Sequence, residues 1–111
     1  MFVYVESSPL VMRGTAPPYS VIEIAKRLVL LRRALGLSQS DMGRLAGVSG
    51  NAWGNYENAD RRIEPDRVFE LENNISVPLE WVYRGVQTRL PLDLAQKIEL
   101  AKRELERTRK R

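Results

Sequence analysis

Residues 32–59 read RRALGLSQSDMGRLAGVSGNAWGNYENA, and their punctuation alone traces three helices. Gly36 closes an incoming helix, since glycine adopts the left-handed backbone of a helix C-terminus at little cost. Ser38 opens a short second helix: its hydroxyl can accept from a free backbone N–H, and Asp41 puts an acid in the first turn, a variant of the capping box. Met42, Leu45 and Ala46 form its inner face, Gly47 ends it, Val48 is apolar, and Ser49 is poised to cap a third helix at once. Two short helices joined by a turn of about three or four residues containing Gly have helix-turn-helix spacing.

The third helix, Gly50 to about Asn58, is amphipathic in an unusual way. Trp53 and Tyr56 face inward, while Asn51, Asn55 and Asn58 share the outer face with Gly50 and Gly54 beside them. Asn and Gly carry almost no helix propensity, so stability alone is a poor reason for such a surface. Small polar groups there point to contact with something outside the domain.

Outward from this segment, Val21 begins a helical period. Ile22, Ala25, Leu28, Val29 and Leu35 recur at steps of three and four, which predicts the buried face of a first helix. Residues 1–20 form an N-terminal arm, in which FVYVE fits a short strand and Pro9, Pro17 and Pro18 exclude helix. Pro65 opens a fourth helix to about Asn73, and Pro78 a short fifth, LEWVYR, closed by Gly85. Residues 21–86 thus make one helical domain. Residues 87–111 make a basic amphipathic helix with a seam of Leu94, Ile98, Ala101 and Leu105. Asp93–Lys97, Glu99–Arg103 and Glu106–Lys110 are acid-first pairs along it. Two heptads are too few to stand alone, so the seam docks either on its own domain or on a partner. Truncation after Thr88 is expected to leave a folded protein with weaker binding to its ligand.

Composition narrows the function. The chain is 43% apolar and 29% charged, a folding composition, and no apolar run approaches the roughly 18 residues of a membrane span. MFVYVESSP lacks the pattern of a signal peptide, so a soluble, cytoplasmic protein is expected. Without Cys or His, disulfides and thiolate metal sites are excluded and the commonest general base is missing; no metal, cofactor or catalysis is expected. The net charge of +4 lies entirely in residues 89–111, so basicity alone is a weak pointer to nucleic acid.

The stretch quoted above resembles the Cro/phage-repressor, or XRE, family of helix-turn-helix proteins. LGLSQ, AGVS, YEN, the Pro opening the fourth helix and LEWVYRG follow in order over about Ile22 to Gly85. The resemblance implies an all-α, five-helix lambda-repressor-like DNA-binding domain, here with an N-terminal arm and a C-terminal amphipathic helix. It also implies that the third helix enters the major groove. Carried over by position, Ser49, Gly50, Asn51 and Asn55 fall at the base-reading end of that helix. Gln39 stands where a Gln meets phosphate and braces the third helix, Asn58 at a backbone-contacting position, and Arg61 and Arg62 on a loop near phosphates or simply in solvent. Arg27 and Arg44 are weaker candidates. Arg32 and Glu57 stand where many members form a partly buried ion pair, and Trp53 and Trp81 at core positions. Three departures matter. Gly43 replaces the usual Ala at a tight helix contact, where it should fit at a cost in helix propensity. Ala59 replaces the usual Gly, which puts the left-handed turn there in question. Gly50 leaves the first reading position without a side chain.

The function implied is a sequence-specific transcriptional regulator, a repressor above all, binding double-stranded DNA as a homodimer. The alternative is an antitoxin-like protein-interaction module on the same fold, gripping a protein partner through residues 1–20 or 89–111.

Overall fold

A computed structural model describes residues 16–109, which contain six helices and no strand. The FVYVE strand expectation lies outside the described residues. The helices are α1 (Val21–Leu35), α2 (Gln39–Ala46), α3 (Gly50–Glu57), α4 (Pro65–Ile75), α5 (Leu79–Arg84) and α6 (Leu92–Arg109). Their ends follow the capping residues. Ser20, Ser38 and Ser49 each accept, through Oγ, the backbone N–H three residues on, at 3.1 Å. Pro65 stands in the first turn of α4, which runs to Ile75, two residues beyond the expected Asn73.

The α2–α3 turn is fixed by Gly47, at φ 81°. Its N–H reaches the Arg44 carbonyl at 3.2 Å and the Val48 N–H reaches that of Gly43 at 2.8 Å, the two bonds of a Schellman motif. The end of α3 repeats this pattern without glycine. Ala59 N–H donates to Tyr56 and Asp60 N–H to Asn55, with Ala59 held at φ 63°. The left-handed turn is therefore kept, and Ala59 bears the Cβ strain that glycine would avoid.

The core gathers Leu28, Leu31, Met42, Trp53, Ile63, Val68, Leu71, Val77 and Val82, all at most 1% exposed. On α1 the buried seam is Ile24, Ala25, Leu28 and Leu31, which keeps Ala25 and Leu28 of the expected face and replaces the rest. Ile22 is 53% exposed, and Val29 and Leu35 are half-buried. The reason is that α1 packs on α3 and α5 along one side and on α6 along another, so its apolar residues spread over a wide arc with no single stripe.

The seam of α6 docks on its own chain. Leu94, Ile98 and Ala101 are buried, and Leu94 and Ile98 belong to the same core cluster as Leu28 and Leu31. Leu105 is only half-buried. Of the acid-first pairs, Glu99–Arg103 closes to 3.6 Å, and Lys110 lies outside the described residues. Residues 90–101 thus contribute Leu90, Leu94, Ile98 and Ala101 to the buried interior, and truncation after Thr88 would remove them. No helix among the described residues is long and apolar enough to cross a membrane.

Candidate nucleic-acid interface

The helix-turn-helix is held by close backbone contact as well as by the buried side chains of Met42, Ala46, Trp53 and Tyr56. A Cβ on Gly43 would lie 2.7 Å from the Ser49 carbonyl oxygen and 2.8 Å from that of Val48, so α2 presses directly on the turn and glycine is required at this spacing. Gly43 fits the tight contact as expected, and in this geometry Ala would not. A Cβ on Gly50 would lie 2.8 Å from Ser40 Oγ and 3.1 Å from Ser40 Cα. Gly50 therefore faces α2, half-buried, and presents only its backbone to a ligand. Ser40, exposed beside it at the start of α2, was not singled out from the sequence, because nothing in the spacing of residues 40 and 50 signals that they touch.

One carboxylate ties this unit to α1. Glu57 Oε2 accepts from Arg32 Nε at 2.7 Å and from Trp53 Nε1 at 2.6 Å. Its Oε1 accepts from Arg32 Nη2 at 3.1 Å and from Gln39 Nε2 at 2.9 Å. The Glu57 side chain is 4% exposed. Burial pushes its carboxyl upward, but the hydrogen bonds from Arg32, Gln39 and Trp53 and the Arg32 charge outweigh this and hold it below the usual range. Gln39 reaches Glu57 alongside Gly54, where a Cβ would make only an ordinary van der Waals contact, 3.5 Å from the amide oxygen. Gln39 thus braces α3 while remaining exposed.

The outer face of α3 is open. Asn51, Asn55 and Asn58 are exposed, opposite Trp53 at 0% and Tyr56 at 3%. Their side-chain amides take no part in the hydrogen bonds among the described residues. Ser49 spends its hydroxyl on the Ala52 N–H.

The arginines divide by what they hold. Arg62 donates to the Tyr19 carbonyl at 2.6 Å and Arg27 to the carbonyls of Val82, at 2.9 Å, and Pro18, so both anchor the segment before α1. Burial lowers the Arg27 pKa. Arg61 reaches Glu64 at 2.8 Å and Arg44 reaches Asp41 at 3.1 Å, and both side chains stay largely exposed. Glu64 also accepts from Tyr56 Oη at 2.6 Å; burial and that bond push the Tyr56 hydroxyl up to about 12. Two residues unmarked by the sequence close the C-terminal end of α2 from α4. Arg67 donates to the Ala46 and Gly47 carbonyls, both at 3.0 Å, and Asn74 to that of Leu45 at 2.8 Å. Such long-range caps leave no local signal.

An all-α protein with a helix-turn-helix, its second helix exposing small polar groups, is the class this geometry defines. Residues 23–71 match a family model described as a helix-turn-helix domain, so the chain carries such a domain. No curated protein and no solved structure gives a significant match.

Proposed function

We propose that the chain is a sequence-specific DNA-binding transcriptional regulator of the Cro/phage-repressor type, acting as a homodimer that represses by occupying its site. The observation that carries this reading is the face of α3, where Asn51 and Asn55 stand exposed one turn apart on a helix whose other face is buried. An Asn amide donates and accepts together, matching N6 and N7 of adenine in the major groove, and each good pair discriminates by about 1–3 kcal/mol. Phosphate contacts fall to the backbone N–H groups opening α2 and α3, to Gln39 and Ser40 beside them, and to Arg44 and Arg61. Two-fold DNA sites about one helical turn apart let a small interface gain affinity by duplication. No catalysis, metal or cofactor enters this reading, and it places the protein in the cytoplasm with its DNA.

The test is selection from a random duplex library at about 150 mM salt, where nonspecific binding has weakened. Wild type and Asn51→Ala/Asn55→Ala are run side by side. Both positions are exposed, so stability should change by no more than about 0.5 kcal/mol. A palindromic motif enriched by wild type and lost by the double variant is expected. No enriched motif from folded protein would refute the reading and favour the antitoxin-like alternative.

A further inference from the structure

A groove of about 500 Å³ runs between α1 and the last turns of α6 and ends against the C-terminus of α3. Ile22, Ala25, Val29, Leu30 and Leu105 give it an apolar floor, and Ala59 stands at its wall. Beyond Ala101 every described residue of α6 is exposed except half-buried Leu105. Two helical turns therefore extend along the groove on one apolar anchor, and helix ends so thinly packed open readily.

We propose that the apolar part of residues 1–15 of the same chain, MFVYVESSPLVMRGT, docks in this groove. The place where the described chain begins supports this occupant. Arg62 holds the Tyr19 carbonyl, Arg27 holds that of Pro18, and Ser20 caps α1, so residues 18–20 are fixed at the start of α1. Ile22, two residues further, is the first residue of the floor, and Ala59, three residues before Arg62, lines the wall. The composition fits as well: Phe2, Val3, Tyr4, Val5, Leu10, Val11 and Met12 form two apolar clusters. So does the length. The floor from Ile22 to Leu30 rises about 12 Å along α1, and Leu10–Met12 in extended form covers about 10 Å. A tether this short gives an effective concentration on the order of millimolar, so the same chain outcompetes a second copy at ordinary protein concentrations. The proposal is independent of DNA binding.

The chain has no Cys, so Ser8→Cys/Lys102→Cys adds one pair while replacing only polar groups. Mild oxidation of this full-length variant is expected to give a disulfide within one chain. Hydrogen exchange of the residue 102–109 amides is expected to be about tenfold faster in full-length Leu10→Asp/Val11→Asp/Met12→Asp than in wild type, the effect of undocking one or two apolar side chains. Ile22→Asp, at an exposed position, should reproduce that acceleration from the other side of the contact. Unchanged exchange in α2 and α4 shows that both variants remain folded. A disulfide found only between chains would assign the groove to a second copy and overturn the proposal. Exchange at residues 102–109 indifferent to both sets of substitutions would overturn it equally.

Discussion

Replacing Glu57 by Gln keeps the shape of the side chain and removes its charge. The wild-type carboxylate accepts four hydrogen bonds at 2.6–3.1 Å, two from Arg32 and one each from Gln39 and Trp53. An amide offers one oxygen and sets an N–H₂ group against the remaining donors. Arg32, whose side chain is 18% exposed, then loses its counter-charge. Stranding one member of a buried pair costs about 3–5 kcal/mol, and the residual solvent at Arg32 argues for the lower end, about 3 kcal/mol. At roughly 4–8 °C per kcal/mol for a domain near 100 residues, the melting temperature should fall by about 12 °C or more. Urea unfolding followed by tryptophan fluorescence gives the free energy directly. The penalty should also depend on pH. Because the folded Glu57 carboxyl lies below its ordinary value of 4.5, its contribution is fully present above that value and is lost as pH falls through the depressed folded value. Wild type and variant should therefore converge in acid. A loss under about 1 kcal/mol, the scale of an exposed ion pair, would refute the view of Glu57 as a desolvated hub. Arg32→Met/Glu57→Met, which removes both charges, should recover much of the loss.

Ala59→Gly relieves a left-handed residue at φ 63° and should stabilise the chain by about 1 kcal/mol, read as a higher melting temperature. Gly43→Ala should do the opposite despite the better helix former. Its Cβ would meet turn backbone at 2.7–2.9 Å, and the overpacking cost of about 1–3 kcal/mol exceeds the gain of about 1 kcal/mol in helix propensity. Denaturant titration gives the sign, and DNA affinity should fall with it as α3 is displaced. Truncation after Thr88 removes Leu90, Leu94 and Ile98 from the core, at about 1.5–3 kcal/mol for each buried side chain. Calorimetry should show a large loss of stability, and an unchanged melting temperature would contradict the docking of α6 on α1.

What the sequence made legible was chemistry tied to neighbours along the chain. Serine caps, closing glycines, proline starts and the inward pair Trp53 and Tyr56 are decided within a few residues, so helices α1 to α5 could be drawn before any coordinates. The outward Asn face of α3 was readable for the same reason, since helical phase alone places it. Phase became ambiguous where a helix has more than one neighbour: α1 touches α3, α5 and α6, and the stripe chosen from the sequence included Ile22, which is exposed, and missed Ile24, which is 1% exposed. Distances between backbones were not legible at all. Gly43 and Gly50 look like losses of helix propensity in the sequence, yet each marks where α2 and α3, or their turn, come too close for a Cβ. The two glycines and the Glu57 hub therefore do one job from opposite ends. Glycine contact fixes how far α3 stands from α2, and the carboxylate, holding Arg32, Gln39 and Trp53 together, fixes how α3 is turned against α1. On the proposed reading, a face built from small polar residues discriminates between bases only if its backbone is held to within a fraction of an ångström, because Asn51 and Asn55 are too short to compensate for a displaced helix. Low helix propensity along α3 is tolerable because that precision comes from outside the helix.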